Sequence, residues 1–143
     1  MIDHNERNRL GRERLAKVAV RLGDREVRIH GGWTASALLA HIAFWDRLAL
    51  ARLEKYLRDD ETPASADDAI TEYTNGGGMR QWLDTPPQVA ARQASEAAAA
   101  VDRVVASLPV DKLRFLQSLE RPFLIDRSEH RRAHLDEIER ALG

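Results

Sequence analysis

The sequence predicts an all-α protein, a four-helix bundle, on three observations. Four long spans free of proline carry amphipathic patterns, and proline or glycine stands between most of them or at their ends. The one short alternation of apolar residues, at 25–29, has no second strand to pair with, so we interpret it as a loop. With 143 residues, 43% hydrophobic and 31% charged, the chain has the composition of one soluble globular domain, residues 1–143.

The first two helices have clear start signals. Asp3, with Glu6 three residues later, predicts the beginning of a helix that continues to Leu22. Thr34 predicts the beginning of the second helix, which continues to Leu57.

The segment after the second helix permits a short extra helix from Asp67, which would carry Ile70 and Tyr73. Gly76-Gly77-Gly78 predicts an interruption, because each glycine costs about 1 kcal/mol inside a helix. Residues 79–84 are expected to resume the helix.

Proline marks the beginning of the last two long helices. Pro86-Pro87 predicts a third helix that continues to Leu108. The fourth begins between Pro122 and Asp126 and ends at Leu142. Four such helices favour a bundle, in which ligand and metal sites form between facing helices.

Several function classes have no support in the composition. The net charge of −1 gives no basic surface for nucleic acid, and no apolar stretch reaches the roughly 18 residues of a membrane span. The chain has no cysteine, which excludes disulfides, thiolate metal sites and a cysteine nucleophile. The charged beginning does not resemble a signal peptide, so we expect a cytoplasmic protein.

Three of the five histidines are placed to meet inside the bundle. On a helical wheel His41 lies on the face of Leu38, Trp45, Leu48 and Tyr56, while Ser36, Asp46, Arg47 and Glu54 lie on the opposite face. His130 and His134 are four residues apart, so they share one face of the last helix. Three imidazoles from two helices match the ligand set of a divalent-metal site with an open position. His4 and His30 are expected to be solvated.

Four further residues are candidates near this site. Asp126, four before His130, and Glu137, three after His134, are placed to orient the imidazoles, or else are solvated surface charges. Trp45 and Tyr56 either line a pocket beside His41 or belong to the core. Because Arg131 follows His130, the motif lacks the glutamate base of a zinc protease.

Two segments, Gly32–Asp46 and Leu124–Ile138, resemble the second and last helices of the DinB-like superfamily. That superfamily includes the N-terminal domain of mycothiol-dependent maleylpyruvate isomerases and the bacillithiol transferases. The resemblance implies a four-helix bundle that is helical where this chain has its glycine triplet. It also implies a homodimer and a zinc or nickel ion on a histidine triad, here His41, His130 and His134.

The resemblance suggests a thiol-dependent S-transferase, which adds a low-molecular-weight thiol to a small electrophilic substrate. Three neutral imidazoles leave a coordination position for the thiol or for water, so a metal-dependent hydrolase is a related interpretation. Two alternatives remain open. One is a non-catalytic, metal-stabilised binding or stress-response module, and the other is a helical interaction protein without metal.

Overall fold

The computed structural model describes residues 2–143 and shows an all-helical protein in that range. Two short 3₁₀ turns, His30–Gly32 and Pro122–Leu124, precede helices that contribute to the site described below. Within the described residues the six α-helices are α1 (His4–Leu22), α2 (Ala35–Asp59), α3 (Asp68–Leu83), α4 (Pro87–Ala106), α5 (Val110–Ser118) and α6 (Ser128–Leu142).

The four long helices form the predicted bundle. Helix α2 packs against α4 and α6, and α1 also packs against α4 and α6, so the four close into a ring. Asp3 and Thr34 cap α1 and α2 as the sequence predicts, since each side chain accepts a hydrogen bond from a backbone N–H three residues later.

Helix α2 is buried around most of its first half. Seventeen buried residues from α1, α2, α3, α4 and α6 form one apolar cluster, in which Leu39 and Ile42 are fully enclosed. A second cluster lies toward the other end of the bundle and contains Leu53, Tyr56 and Leu116. Among residues 2–143 no helix combines the length and apolarity needed to cross a lipid bilayer.

Helix α3 differs from the prediction because it runs through the glycine triplet without a break. Gly78 is required there, since a Cβ at this position would lie 2.4 Å from the ring of Trp82. The indole of Trp82 covers Gly78 and is 6% exposed, so its packing offsets the low helix propensity of glycine. Ile70 and Tyr73, in contrast, are exposed.

Helix α5 is absent from the sequence prediction, which left residues 109–121 without an element. It has only nine residues, and Leu116 is its one buried side chain, so it is short and contributes little to the core. Pro109 before it and Asp111 in its first turn are start signals that could have identified it.

Candidate metal centre

His41 lies in the second turn of α2 and points toward α6. Its side chain is buried, with the residue 5% exposed, and its Nε2 lies 3.1 Å from Nε2 of His130. The position of His41 follows from Thr34, which caps α2, and from the turn at Gly31 and Gly32, both of which have positive φ (66° and 82°).

His130 and His134 occupy successive turns of α6, as their spacing predicts. The ring centroid of His134 lies 4.8 Å from that of His130 and 4.7 Å from that of His41. One ligand nitrogen from each of the three rings lies within 4.8 Å of the other two. The three histidines are therefore positioned to bind a metal ion.

Glu137 fixes the ring of His134. Its Oε1 lies 2.9 Å from His134 Nδ1, and its Oε2 lies 2.8 Å from Nε2 of His30. A carboxylate on Nδ1 holds the proton there and leaves Nε2 of His134 free to coordinate a metal ion. His30 is exposed, as expected, but it also lines the cavity of the site.

The other two imidazoles also fit a metal ion. Nδ1 of His41 and Nδ1 of His130 are buried without a hydrogen-bond partner among residues 2–143. No protein group therefore opposes the tautomer in which Nδ1 is protonated and Nε2 offers its lone pair. Three neutral imidazoles suit zinc or nickel better than the hard cations magnesium and calcium, which prefer oxygen ligands.

The surroundings of His41 and His130 keep both imidazoles uncharged. Burial and the nearby His134 lower the pKa of His41 to about 3. Burial, the two neighbouring histidines and the guanidinium groups of Arg127 and Arg131 lower the pKa of His130 to about 2. Both rings are thus unprotonated at neutral pH, which is the form that binds metal.

A cavity of about 540 Å³ opens onto the three histidines. This volume is within the usual range for small-molecule sites. Trp45 lines it and donates a hydrogen bond from Nε1 to Oδ1 of Asn75, 2.8 Å away, on α3. The remaining lining residues are His30, Trp33, Leu38, Thr71, Phe123, Arg127 and Glu137.

A buried ion-pair network lies beside the histidines. Asp46 is fully buried and accepts hydrogen bonds at 2.9 Å from Nε of Arg127 and from Nε of Arg131. Arg131 also donates to both carboxylate oxygens of Asp102 on α4. The helical wheel placed Asp46 on an outer face, and this is wrong because α2 is surrounded by other helices at this level. Ser36, placed on the same face, is also buried.

The structure decides between the open alternatives for Asp126 and Tyr56 and corrects the expectation for His4. Asp126 does not contact the histidines; it accepts hydrogen bonds from Arg7 and Ser128. Tyr56 does not line the cavity, because it lies just over four turns along α2 from His41, in the second apolar cluster. His4 is not simply solvated, since its Nε2 is buried.

The sequence analysis did not identify Trp33, Asn75 or Arg127 as cavity residues. Trp33 packs edge-on against His41, with ring centroids 5.5 Å apart. The i, i+4 spacing of Arg127 and Arg131, alongside the histidines, was a usable signal for Arg127. Asn75 lies next to the glycine triplet, where a break was predicted, and so gave no comparable signal.

The comparison with protein families agrees with this arrangement. A profile of the DinB superfamily matches residues 7–134, a span that includes all three clustered histidines. Neither a curated protein sequence nor a solved structure matches the chain significantly. The match covers most of the 143 residues and the fold is helical throughout, so the chain belongs to the DinB superfamily.

Proposed function

We propose that this protein is a metal-dependent enzyme that holds zinc or nickel on His41, His130 and His134 and transfers a low-molecular-weight thiol to an electrophilic substrate. The observation that supports it most directly is the convergence of three ligand nitrogens within 4.8 Å at the wall of a cavity. A site with three protein ligands leaves a position for a reactant, whereas structural zinc sites use four.

The metal ion, when bound, would lower the pKa of a thiol or a water molecule in the open position. Glu137 holds the proton on Nδ1 of His134 and so keeps that ring in the ligating tautomer. Trp33 and Trp45 pack edge-on against His41 and form an aromatic wall of the cavity beside the histidines. In the transfer, the thiol gives its proton to water, its sulfur bonds to the electrophilic carbon, and the bond from that carbon to the leaving group breaks, with the leaving group keeping the electron pair.

Metal analysis of untagged protein is the first test. We expect close to one equivalent of zinc or nickel per chain after loading, and less than about 0.1 equivalent for His134→Ala. The matched control is His4→Ala, which removes a histidine outside the cluster and should load like the unsubstituted protein. Equal loading of His134→Ala and the unsubstituted protein would contradict the site.

Activity then separates an enzyme from a metal-stabilised module. Mycothiol, bacillithiol and glutathione would each be paired with chloro-dinitrobenzene and with bimane electrophiles, and the same protein would be assayed on ester and amide substrates. Turnover with a thiol that is lost in His134→Ala and kept in His4→Ala supports the transferase. Hydrolysis without a thiol supports the hydrolase, and full metal loading with neither activity supports the non-catalytic module.

A further inference from the structure

Arg127 presents a guanidinium group to the same cavity as the three histidines. Its Nε donates to Asp46, and its Nη1 donates to the carbonyl oxygen of Phe123, each at 2.9 Å. Among residues 2–143, its Nη2 has no acceptor, although the side chain forms part of the cavity wall. A guanidinium stays protonated at any physiological pH, so Nη2 is a fixed charged donor next to the site.

The charge around Arg127 is not balanced by the protein. Arg12, Arg127 and Arg131 share two carboxylates, those of Asp46 and Asp102, which leaves one positive charge over. Arg12 is partly exposed, so water screens part of this excess, whereas Arg127 and Arg131 are buried and share Asp46. Glu137 lines the same cavity, but its carboxylate oxygens contact His134 and His30 and not Arg127.

Two further arginines add positive charge near Arg127. Arg52 and Arg121 make no ion pair with a carboxylate within residues 2–143, and Nε and Nη2 of Arg121 are buried without an acceptor. Burial and the charges of Arg121 and Arg127 lower the pKa of Arg52. The electrostatic potential near Arg127 therefore favours an anion.

The rest of the cavity wall on this side is aromatic. The indole of Trp45 and the ring of Phe123 line the cavity, and Phe123 is 46% exposed although it is a large apolar side chain. Because Oδ1 of Asn75 accepts from Trp45, the amide nitrogen of Asn75 remains as a second donor. Flat apolar surfaces with a few placed donors are typical of sites for small unsaturated molecules.

We propose that the ligand of this cavity is an aromatic or unsaturated carboxylate, whose carboxylate group binds Nη2 of Arg127 and whose body packs against Trp45 and Phe123. This inference rests on the proposed function, because it defines the substrate class of that same site. It requires no metal for binding and is therefore testable on metal-free protein.

The test compares cinnamate with cinnamamide, which has nearly the same shape but no charge. Ligand-observed NMR in EDTA and 50 mM NaCl would give the two dissociation constants without competition from a metal. We expect cinnamate to bind at least about tenfold more tightly, as for a charge-assisted hydrogen bond. Cinnamate should also shift the indole N–H resonance of Trp45, which a Trp45→Phe spectrum assigns.

Two variants test whether Arg127 causes the preference for cinnamate over cinnamamide. Arg127→Gln should remove most of the difference between the two probes, whereas Arg47→Gln, which removes an exposed charge on the outer surface of α2, should leave it intact. The comparison on unsubstituted protein stands even if Arg127→Gln does not fold. Equal affinities for the two probes, no binding of cinnamate at 10 mM, or an unchanged preference in folded Arg127→Gln would overturn the inference.

The result is independent of the metal test. If the protein takes up no zinc or nickel but still prefers cinnamate through Arg127, the metal site fails and the anion site stands. If metal loading depends on His134 but the probes bind equally, the proposed function stands and its substrate is not a carboxylate of this class.

Discussion

Asp46 and Arg131 form an ion pair of 2.9 Å in which neither side chain is exposed to solvent. The pair joins α2 to α6, the two helices that supply the three histidines. Its partners Arg127 and Asp102 complete the hydrogen bonds of both groups. Breaking such a pair leaves an uncompensated buried charge, which costs more than the pair itself contributes.

We therefore expect Asp46→Ala to lower the free energy of unfolding by about 3–5 kcal/mol, measured by urea denaturation. The control is Glu129→Ala on the same helix α6, because Glu129 pairs with Arg132 on the surface and both side chains are largely exposed. That substitution should cause no measurable loss of stability. Equal effects of the two variants would show that the buried network is not a structural support.

Removing the partner of His134 should weaken metal binding. Glu137→Ala is expected to lower zinc affinity about 10–100-fold, since nothing else among residues 2–143 bonds Nδ1 of His134. Competition with a chelator of known affinity measures the change. Glu129→Ala again serves as control, with unchanged zinc affinity. A Glu137→Ala protein that binds zinc normally would show that the carboxylate has no orienting role.

Gly77 and Gly78 of α3 should respond differently to substitution by alanine. Gly78→Ala places a Cβ against the Trp82 ring and should destabilise the protein by about 1–3 kcal/mol. Gly77→Ala meets no atom within 4 Å, so it should stabilise the helix by up to about 1 kcal/mol. Thermal unfolding followed by circular dichroism distinguishes the two. If both variants stabilise the protein, Trp82 does not need the space above Gly78.

Acid should destabilise the metal-free protein through its buried histidines. The folded-state pKa values of His41 and His130, about 3 and about 2, lie below the roughly 6.5 of an unfolded chain. As the pH falls below 6.5, the unfolded state therefore binds more protons than the folded state. The full stability of the metal-free protein is present above that pH and is lost progressively below it. Each of the two rings should lower the free energy of unfolding by about 1.4 kcal/mol per pH unit as the pH falls from 6 to 4.

Urea unfolding in EDTA at pH 7, 6 and 5 measures this slope. His41→Gln should reduce this slope by about one ring's share. A stability that stays constant from pH 7 to pH 5 would mean that water reaches the histidines freely.

Much of the fold could be predicted because its signals are local. Asp3 and Thr34 fix helix starts through their own side chains, and the i, i+4 spacing of His130 and His134 puts them on one face. The helical wheel placed His41 on an inward face and so predicted that it would meet His130 and His134, a prediction that the resemblance to the DinB-like superfamily then supported. The profile match confirms that family assignment.

The remaining features depend on contacts between distant residues. A helical wheel assigns each residue an inside or an outside, but α2 has neighbours on several sides, so Asp46 is buried on the face opposite His41. The continuity of α3 depends on Trp82 covering Gly78, a packing interaction that propensity does not include. Tyr56 shares the face of His41 but lies too far along the helix to reach the cavity.

Helix α3 packs chiefly on α2 and stands outside the closed ring of α1, α2, α4 and α6. It contributes Thr71 and Asn75 to the cavity but none of the three histidines. Changes at Thr71 and Asn75 can thus reshape one wall of the cavity, whereas Trp82, also on α3, packs against His41 with ring centroids 5.0 Å apart and supports the cluster. On the proposed function, substitutions of Thr71 and Asn75 would change ligand preference without touching the three histidines, which makes these positions of α3 the ones to diversify.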